Sequence, residues 1–286
     1  MFIPAPRNRE AMASLIPPGS LTSFLFTLQT SYSEQHGLNN MEPRIISNAE
    51  LVYHRYLDLA AHGAFDSQSG LGGRLVYAGE MAEAFFQLRA ANIAGAASLA
   101  ASADFSVQRQ AMRDGVVDFL VTSLEEALRI LKNEIRKRQT VSVCVGVAPH
   151  ILVEQMLDRG VLPDLLFANA GVDTKVKEFV RQGALPIVST DGNVGVDVYV
   201  RWSVDRDFSV WMPLLDGCAR AVFFANDAPK QRWLQLAPRY LGREAQRVHG
   251  VAMSSDEMVR FRNAVKQMLA REVREVAAAP VVSIDA

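Results

Sequence analysis

The sequence predicts an α/β fold, a doubly wound and mostly parallel sheet with a helical C-terminal part, and three observations carry that prediction. From Ser47 onward short apolar runs alternate with longer amphipathic ones, as strand-crossover-strand units require. Several of the short runs are apolar on both faces, Val-Ser-Val-Cys-Val at 141–145 most clearly, which suits strands covered by helices on either side. Capping residues stand where the amphipathic runs begin.

The elements follow in order. Residues 1–45 contain five prolines up to Pro43 and no sustained period, so they read as an arm or packed extension. Residues 46–227 read as the core domain and 228–286 as a helical part packing on it. Ser47 is placed to cap a helix with apolar positions Leu51, Tyr53, Leu57 and Leu59, stopping at Gly63. Leu75-Val76-Tyr77-Ala78 reads as a strand followed by a helix through Met81, Phe85, Phe86 and Leu88. Further strands are expected at 96–101, 118–121, 141–145, 165–168 and 185–188, and Ala221-Val222-Phe223-Phe224 reads as another. Ser123 with Glu126 forms a capping box, and its helix ends in Arg136-Lys137-Arg138, favourable at the negative end of the dipole. Ser254 with Glu257 opens a long helix whose stripe, Met258, Phe261, Val265 and Met268, suits core or subunit contact.

Composition narrows the function classes. The 286 residues are 49% hydrophobic and 21% charged, with 30 basic against 31 acidic residues and a formal charge of -1. That balance supplies no electrostatic reason to expect nucleic acid or an anionic membrane, so the expected partner is a small-molecule ligand. Cys144 and Cys218 can build neither a disulfide framework nor a Cys-rich metal site. No apolar run reaches the ~18 residues of a spanning helix. Residues 11–28 resemble a signal-peptide core, but Pro17-Pro18-Gly19 interrupts them, and a cytoplasmic location is expected. Gly70-Leu71-Gly72-Gly73 precedes its strand and reads as a connecting turn. No P-loop, nucleophile elbow, HExxH or paired CxxC is present, and no metal site is expected.

A series of motifs goes further. Ile93-Ala94-Gly95-Ala96-Ala97-Ser98-Leu99 is followed by Arg113, Asp118 and Ser123-Leu124-Glu125-Glu126-Ala127-Leu128, and closes in Asp158-Arg159-Gly160-Val161-Leu162-Pro163-Asp164. In this order the runs resemble the central nucleotide-binding domain of the urocanase (urocanate hydratase) family. Gly72-Gly73-Arg74-Leu75-Val76 upstream, and Gln182-Gly183, Asp191-Gly192-Asn193, Arg232-Trp233-Leu234 and Ala279-Pro280-Val281-Val282 downstream, extend the resemblance. It implies a shortened, divergent relative with a Rossmann-like core, a homodimer, and a site where NAD draws electrons from an imidazole ring while water adds.

Carried over position by position, the resemblance places cofactor contacts at Gly79, Gln87, Ser102, Gly146, Asn169, Gly192 and Asn193. Most of the side chains differ from the family pattern. Its glycine-rich turn becomes Gly79-Glu80-Met81-Ala82-Glu83-Ala84-Phe85-Phe86-Gln87, in which only Gly79 and Gln87 match. Glu80 and Glu83 are expected in the first helical turn, where they would satisfy the dipole and repel a diphosphate. The ribose-binding glutamate becomes Ser102 and the arginine after it Val107; Gly-Asn-Ala falls at Gly146-Val147-Ala148 or one residue later, without its asparagine under either alignment, and Gln-Thr-Ser-Ala-His becomes Asn169-Ala170-Gly171-Val172-Asp173. The tyrosine of Asp-Tyr-Gly-Asn becomes Asp191, and Cys218 is offset from the family's active-site cysteine. NAD held in the family manner, and standard urocanate hydration with it, are therefore not expected.

Topology still implies a site, because doubly wound sheets bind ligands outside the carboxyl ends of their strands. The loops there carry Asp104, His150, Asn169, Asp173, Asp191 and Asn193. Asp173, Asp191 and His150 are the candidate catalytic groups, His150 as a general base beside a carboxylate. The same residues also suit helix caps and tight turns. Two classes remain: a lyase of the hydratase type acting on a small polar or heteroaromatic metabolite, and a non-catalytic binding or assembly protein that keeps the fold.

Overall fold

The computed structural model describes residues 47–63, 65–167, 175–188, 197–223, 227–242, 245, 247–272 and 280–286. Residues Ile46–Ala286 form one compact unit. In chain order its elements are α1 (Asn48–Ala60), β1 (Leu75–Glu80), α2 (Phe85–Ala94), β2 (Ala97–Ala101), α3 (Phe105–Arg113), β3 (Phe119–Val121), α4 (Leu124–Lys137), β4 (Val141–Val145), α5 (Pro149–Asp158), β5 (Leu165–Phe167), α6 (Val176–Arg181) and β6 (Leu185–Ile187). Then come β7 (Val198–Val204), α7 (Phe208–Val222), α8 (Ala228–Tyr240), β8 (Val248–Met253), α9 (Ser255–Glu272) and β9 (Val282–Asp285). Among the described residues no helix is long and apolar enough to cross a membrane.

The first six strands form one parallel sheet in the order β3-β4-β2-β1-β5-β6, as the alternating pattern requires. Their side chains divide between two cores. Val76, Ala78, Ala100 and Cys144 face the layer that holds α1, α2 and the later helices, while Leu75, Tyr77, Leu99, Ala101 and Val143 face α4, α5 and α6. Helices therefore cover both faces, and the sheet is doubly wound.

The C-terminal part contains more than helices: β8-β7-β9 form an antiparallel sheet. The expected strand at 221–224 is corrected. Ala221 and Val222 end α7, whose buried Trp211, Met212, Leu215, Ala219 and Val222 recur at helical spacing. Ala221 is exposed, Val222 is buried and Phe223 caps the helix in an extended conformation; Phe224 lies outside the described residues. The stripe on α9 is core, with Phe261 fully buried and its ring 5.0 Å from that of Trp202.

Motif residues knit the amino ends of the strands. The Asp164 carboxylate accepts from the Leu75 N–H (2.8 Å) and from Arg74 (2.9 Å), and its own N–H donates to the Leu75 carbonyl. Asp118 accepts from the Ser142 N–H at 2.8 Å and so joins β3 to β4. Gly95 has φ +90, and a Cβ there would lie 2.4 Å from Arg232. Arg232, on α8, uses that space to donate to the carbonyls of Ile93 and Gln68. Only glycine allows this approach.

Capping follows the sequence at several helices. Ser47 accepts from the Glu50 N–H, and Ser123 from the Glu126 N–H. Ser254 and Glu257 complete a reciprocal box, at 3.3 and 2.9 Å, and Glu257 also accepts from the Lys230 ammonium at 3.1 Å. Burial pushes the Glu257 carboxyl up, but the Ser254 N–H and the Lys230 ammonium outweigh it and hold the group below its ordinary 4.5. A depressed carboxyl contributes stability above its unfolded pKa and loses it as pH falls through the folded one. The stability difference between wild type and Glu257→Gln, measured by urea unfolding, should thus be present at neutral pH and shrink as pH drops below 4.5. A difference constant across that range would show that the charge contributes nothing.

Candidate functional site at the carboxyl edge of the sheet

Strands β1 and β5 are neighbours, yet β1 leads into α2 on one face and β5 leads toward α6 on the other. The chain parts between them, and in doubly wound sheets their carboxyl ends are where ligands bind. The same divergence separates β2, followed by α3, from β4, followed by α5.

β1 reaches this edge through a bulge. Tyr77 pairs with Leu99 but Gly79 pairs with Ala100, so Ala78 is an extra residue, and Gly79 takes φ +85. The bulge places Glu80 opposite Ala101 as the last strand residue. The sequence reading of Glu80 and Glu83 as first-turn residues is therefore corrected. α2 begins at Phe85, with Ala84 at the N-cap and no acidic residue in its first turn. The pairing with β2 extends β1, and the Met81 N–H then continues it by donating to the Ala101 carbonyl at 2.8 Å.

This turn decides whether a dinucleotide fits. A glycine-rich turn works because bare backbone lets N–H groups reach the pyrophosphate. Here Met81 and Ala84 are fully buried, and the N–H groups of Met81, Glu83 and Ala84 donate to Ala101, Glu80 and Met81 respectively. Protein side chains fill the cradle, and these three turn N–H groups point inward. The residues present do not fit NAD held in the family manner.

The neighbouring positions build the rest of the edge. Ser102 is buried and donates its N–H to the Val145 carbonyl; its hydroxyl accepts from the Asp104 N–H and its carbonyl from Gln108. Gly146 follows β4 on the adjacent strand, exposed, with its N–H on the Val121 carbonyl. The structure thus brings Gly79, Ser102 and Gly146 to one edge. Gln87 lies in the first turn of α2, 5% exposed, and its Oε1 receives no hydrogen bond among the described residues. His150 stands exposed in the first turn of α5. Asp104 is occupied as the cap of α3: the Ser106 hydroxyl and N–H, both at 2.7 Å, hold its carboxyl below the usual range. Asn169, Asp173, Asp191, Gly192 and Asn193 lie outside the described residues.

Other reactive groups are committed elsewhere. Burial pushes the Cys144 thiol up to about 12, with the Glu80 charge adding to it, and burial also raises Cys218 on α7. Neither is a ready thiolate. His249 places Nδ1 on the Asp216 carboxylate at 2.8 Å and Nε2 on the Ala245 carbonyl at 2.5 Å, so neither ring nitrogen is available to a ligand. Among the described residues no group of three His, Cys, Asp or Glu is placed to hold a metal ion. Sequence reasoning missed the cluster in which Lys230 meets Asp197 and Glu257, both at 3.1 Å. The caps at Asp227 and Ser254 were the available signal, because they bring α8 and α9 to one point.

Residues 55–184 match the family model described as the urocanase Rossmann-like domain. The match runs from within α1 to the residue before β6. No match is found among curated proteins.

If the cradle is filled, Met81 belongs to the core. Met81→Ala should lower stability by about 2–5 kcal/mol in urea unfolding, as cavity formation does, without creating affinity for NAD. A neutral substitution, or one that confers NAD binding in calorimetry, would refute the assignment.

Proposed function

We propose that this chain, whose residues 55–184 are a urocanase Rossmann-like domain, binds a small polar or heteroaromatic metabolite at the carboxyl edge of its parallel sheet without using NAD. The observation that carries the reading is the filled turn after β1, with Met81 and Ala84 buried where a pyrophosphate would need bare backbone. Beside it lies the point where the chain leaves β1 and β5 toward opposite faces, and in the sequence Asn169 and Asp173 follow β5 while Asp191 and Asn193 follow β6.

Binding is favoured over catalysis on chemical grounds. The family's hydration chemistry rests on NAD as the electrophile, and the NAD cradle has been rebuilt as core. Both thiols are raised by burial, Asp104 is spent as a cap, and His249 is bonded at both nitrogens. A metabolite sensor or carrier fits these features better than a hydro-lyase. The second reading, a lyase of the hydratase type, is favoured by His150, whose exposed imidazole lies at the same edge and can act as a general base. A reducing, cytoplasmic setting suits the two free thiols, and a homodimer belongs to the same reading by family resemblance.

The test has two parts. Protein purified without added nucleotide and then denatured should release no stoichiometric NAD by mass spectrometry; one NAD per chain would overturn the reading. In a thermal-shift screen of small metabolites, Asn169→Ala and Asp173→Ala should abolish the shift produced by any stabilising compound. Their own stability cost should stay within about 0.5–2 kcal/mol, the scale of caps and turns. Unchanged shifts with lowered melting temperatures would make both residues structural.

A further inference from the structure

The opposite end of the parallel sheet holds a cavity. The amino ends of β1, β5 and β6 border an open space of about 260 Å³. That is far more than the ~10–15 Å³ one water needs and just under the ~300 Å³ at which drug-sized sites begin, so the volume suits a small molecule. Its lining mixes two kinds of group: Arg74, Asp164 and His62 are polar, and Leu162, Pro163 and Leu185 are apolar. The frame is already fixed by Asp164. One carboxylate oxygen accepts from the Leu75 N–H at 2.8 Å, the other from Arg74 Nη1 at 2.9 Å, and the Asp164 carbonyl accepts from the Leu185 N–H at 2.9 Å. A single residue thus pins all three strand ends, and the cavity needs no ligand to form.

The groups left over define what fits. Both Asp164 oxygens are occupied, whereas among the described residues the Arg74 guanidinium uses only Nη1 and keeps its other N–H groups for an acceptor. The bond to Asp164 holds that guanidinium in place, which lowers the cost of ordering it around a second carboxylate. Leu162 and Leu185 are 38% and 50% exposed, and an apolar body lodged against them would take them out of water. A peptide strand is the wrong occupant. The Leu185 N–H points inward to Asp164, so the outward N–H of β6 would belong to residue 186, and Pro186 has none. We infer that this cavity binds a small carboxylate with a compact apolar body, its charged head on Arg74 and its body against Leu162 and Leu185. The six residues of β1 set it about 20 Å from the carboxyl edge, so it stands independently of the site proposed there.

Three probes with one ring and different heads test this. Benzoate, benzamide and benzylamine are titrated by calorimetry into the full chain as wild type, Arg74→Gln, Arg74→Lys, Leu185→Gln and Arg129→Gln, with circular dichroism to check folding. Benzoate should bind wild type about tenfold or more tightly than either other probe. Arg74→Gln should weaken benzoate by about tenfold or more, Leu185→Gln by about threefold or more, and Arg74→Lys by less than Arg74→Gln. Arg129, exposed on α4 beside Glu125, controls for lost charge, and Arg129→Gln should stay within about twofold. No benzoate binding, benzylamine or benzamide binding as tight as benzoate, or unchanged benzoate affinity in Arg74→Gln overturns the proposal. Hydrogen exchange in the wild type decides the matter should Arg74→Gln fail to fold. Benzoate-dependent protection at residues 74–76, 162–165 and 185 supports the cavity; protection confined to residues 79–84 overturns it and leaves the carboxyl-edge reading standing.

Discussion

The architecture depends on one constraint, the burial of α2 on nearly every side. Ala90, Ala91, Ile93 and Ala94 are fully buried, and the helix packs against α1, α8 and the sheet together. A helix enclosed in this way needs small residues where backbones approach, and alanines supply them here, with the equally small Ala96 and Ala100 in the same core. The constraint propagates to both ends of the helix. At its C-terminus Gly95 turns in the left-handed region and leaves room for Arg232. At its N-terminus Met81 and Ala84 close the turn against the same core.

The two ends of the parallel sheet carry different kinds of information. At the amino ends, Asp164 ties β1 to β5, Asp118 ties β3 to β4, and Gly95 admits Arg232. These are the residues through which the urocanase resemblance is read, and each has a backbone or hydrogen-bonding task that few other side chains can perform. At the carboxyl ends the described tasks are local ones, Gly79 at the bulge and Ser102 and Asp104 at the start of α3. A chain can therefore keep the recognisable frame while its site positions change, and residues 55–184 do so.

This division also explains what was legible. Six parallel strands could be read because buried strands and capped helices leave periodic and compositional marks, as at Val141–Val145 and at Ser123 with Glu126. The run from Ala221 misled because the apolar end of a helix, here Ala221 and Val222, and the start of a strand share the same letters over so few residues. The start of α2 was misplaced because a bulge leaves a faint mark: one glycine, Gly79, among residues equally suited to a helix. β8 and β9 went unread because the first runs polar and apolar together around His249 and Gly250, and the second is four residues at the chain's end. At the site, the loss of glycines showed that a phosphate cradle was unlike the family's, but what replaced it, buried Met81 and Ala84 with inward-turned N–H groups, needed three-dimensional packing to be seen.

That replacement changes where binding free energy is spent in the fold. A glycine-rich turn keeps its N–H groups unpaired until an anion arrives, so part of the folded state's stability is deferred to ligand binding. Burying Met81 contributes about 1.5–3 kcal/mol directly, and bonding the turn N–H groups internally removes the need for an anion to satisfy them. The unit is thereby stabilised without a nucleotide. The turn hides its donors within the protein and carries carboxylates at its surface, Glu80 partly exposed and Glu83 exposed, so it presents the charge sign of a diphosphate where a glycine-rich turn presents N–H groups.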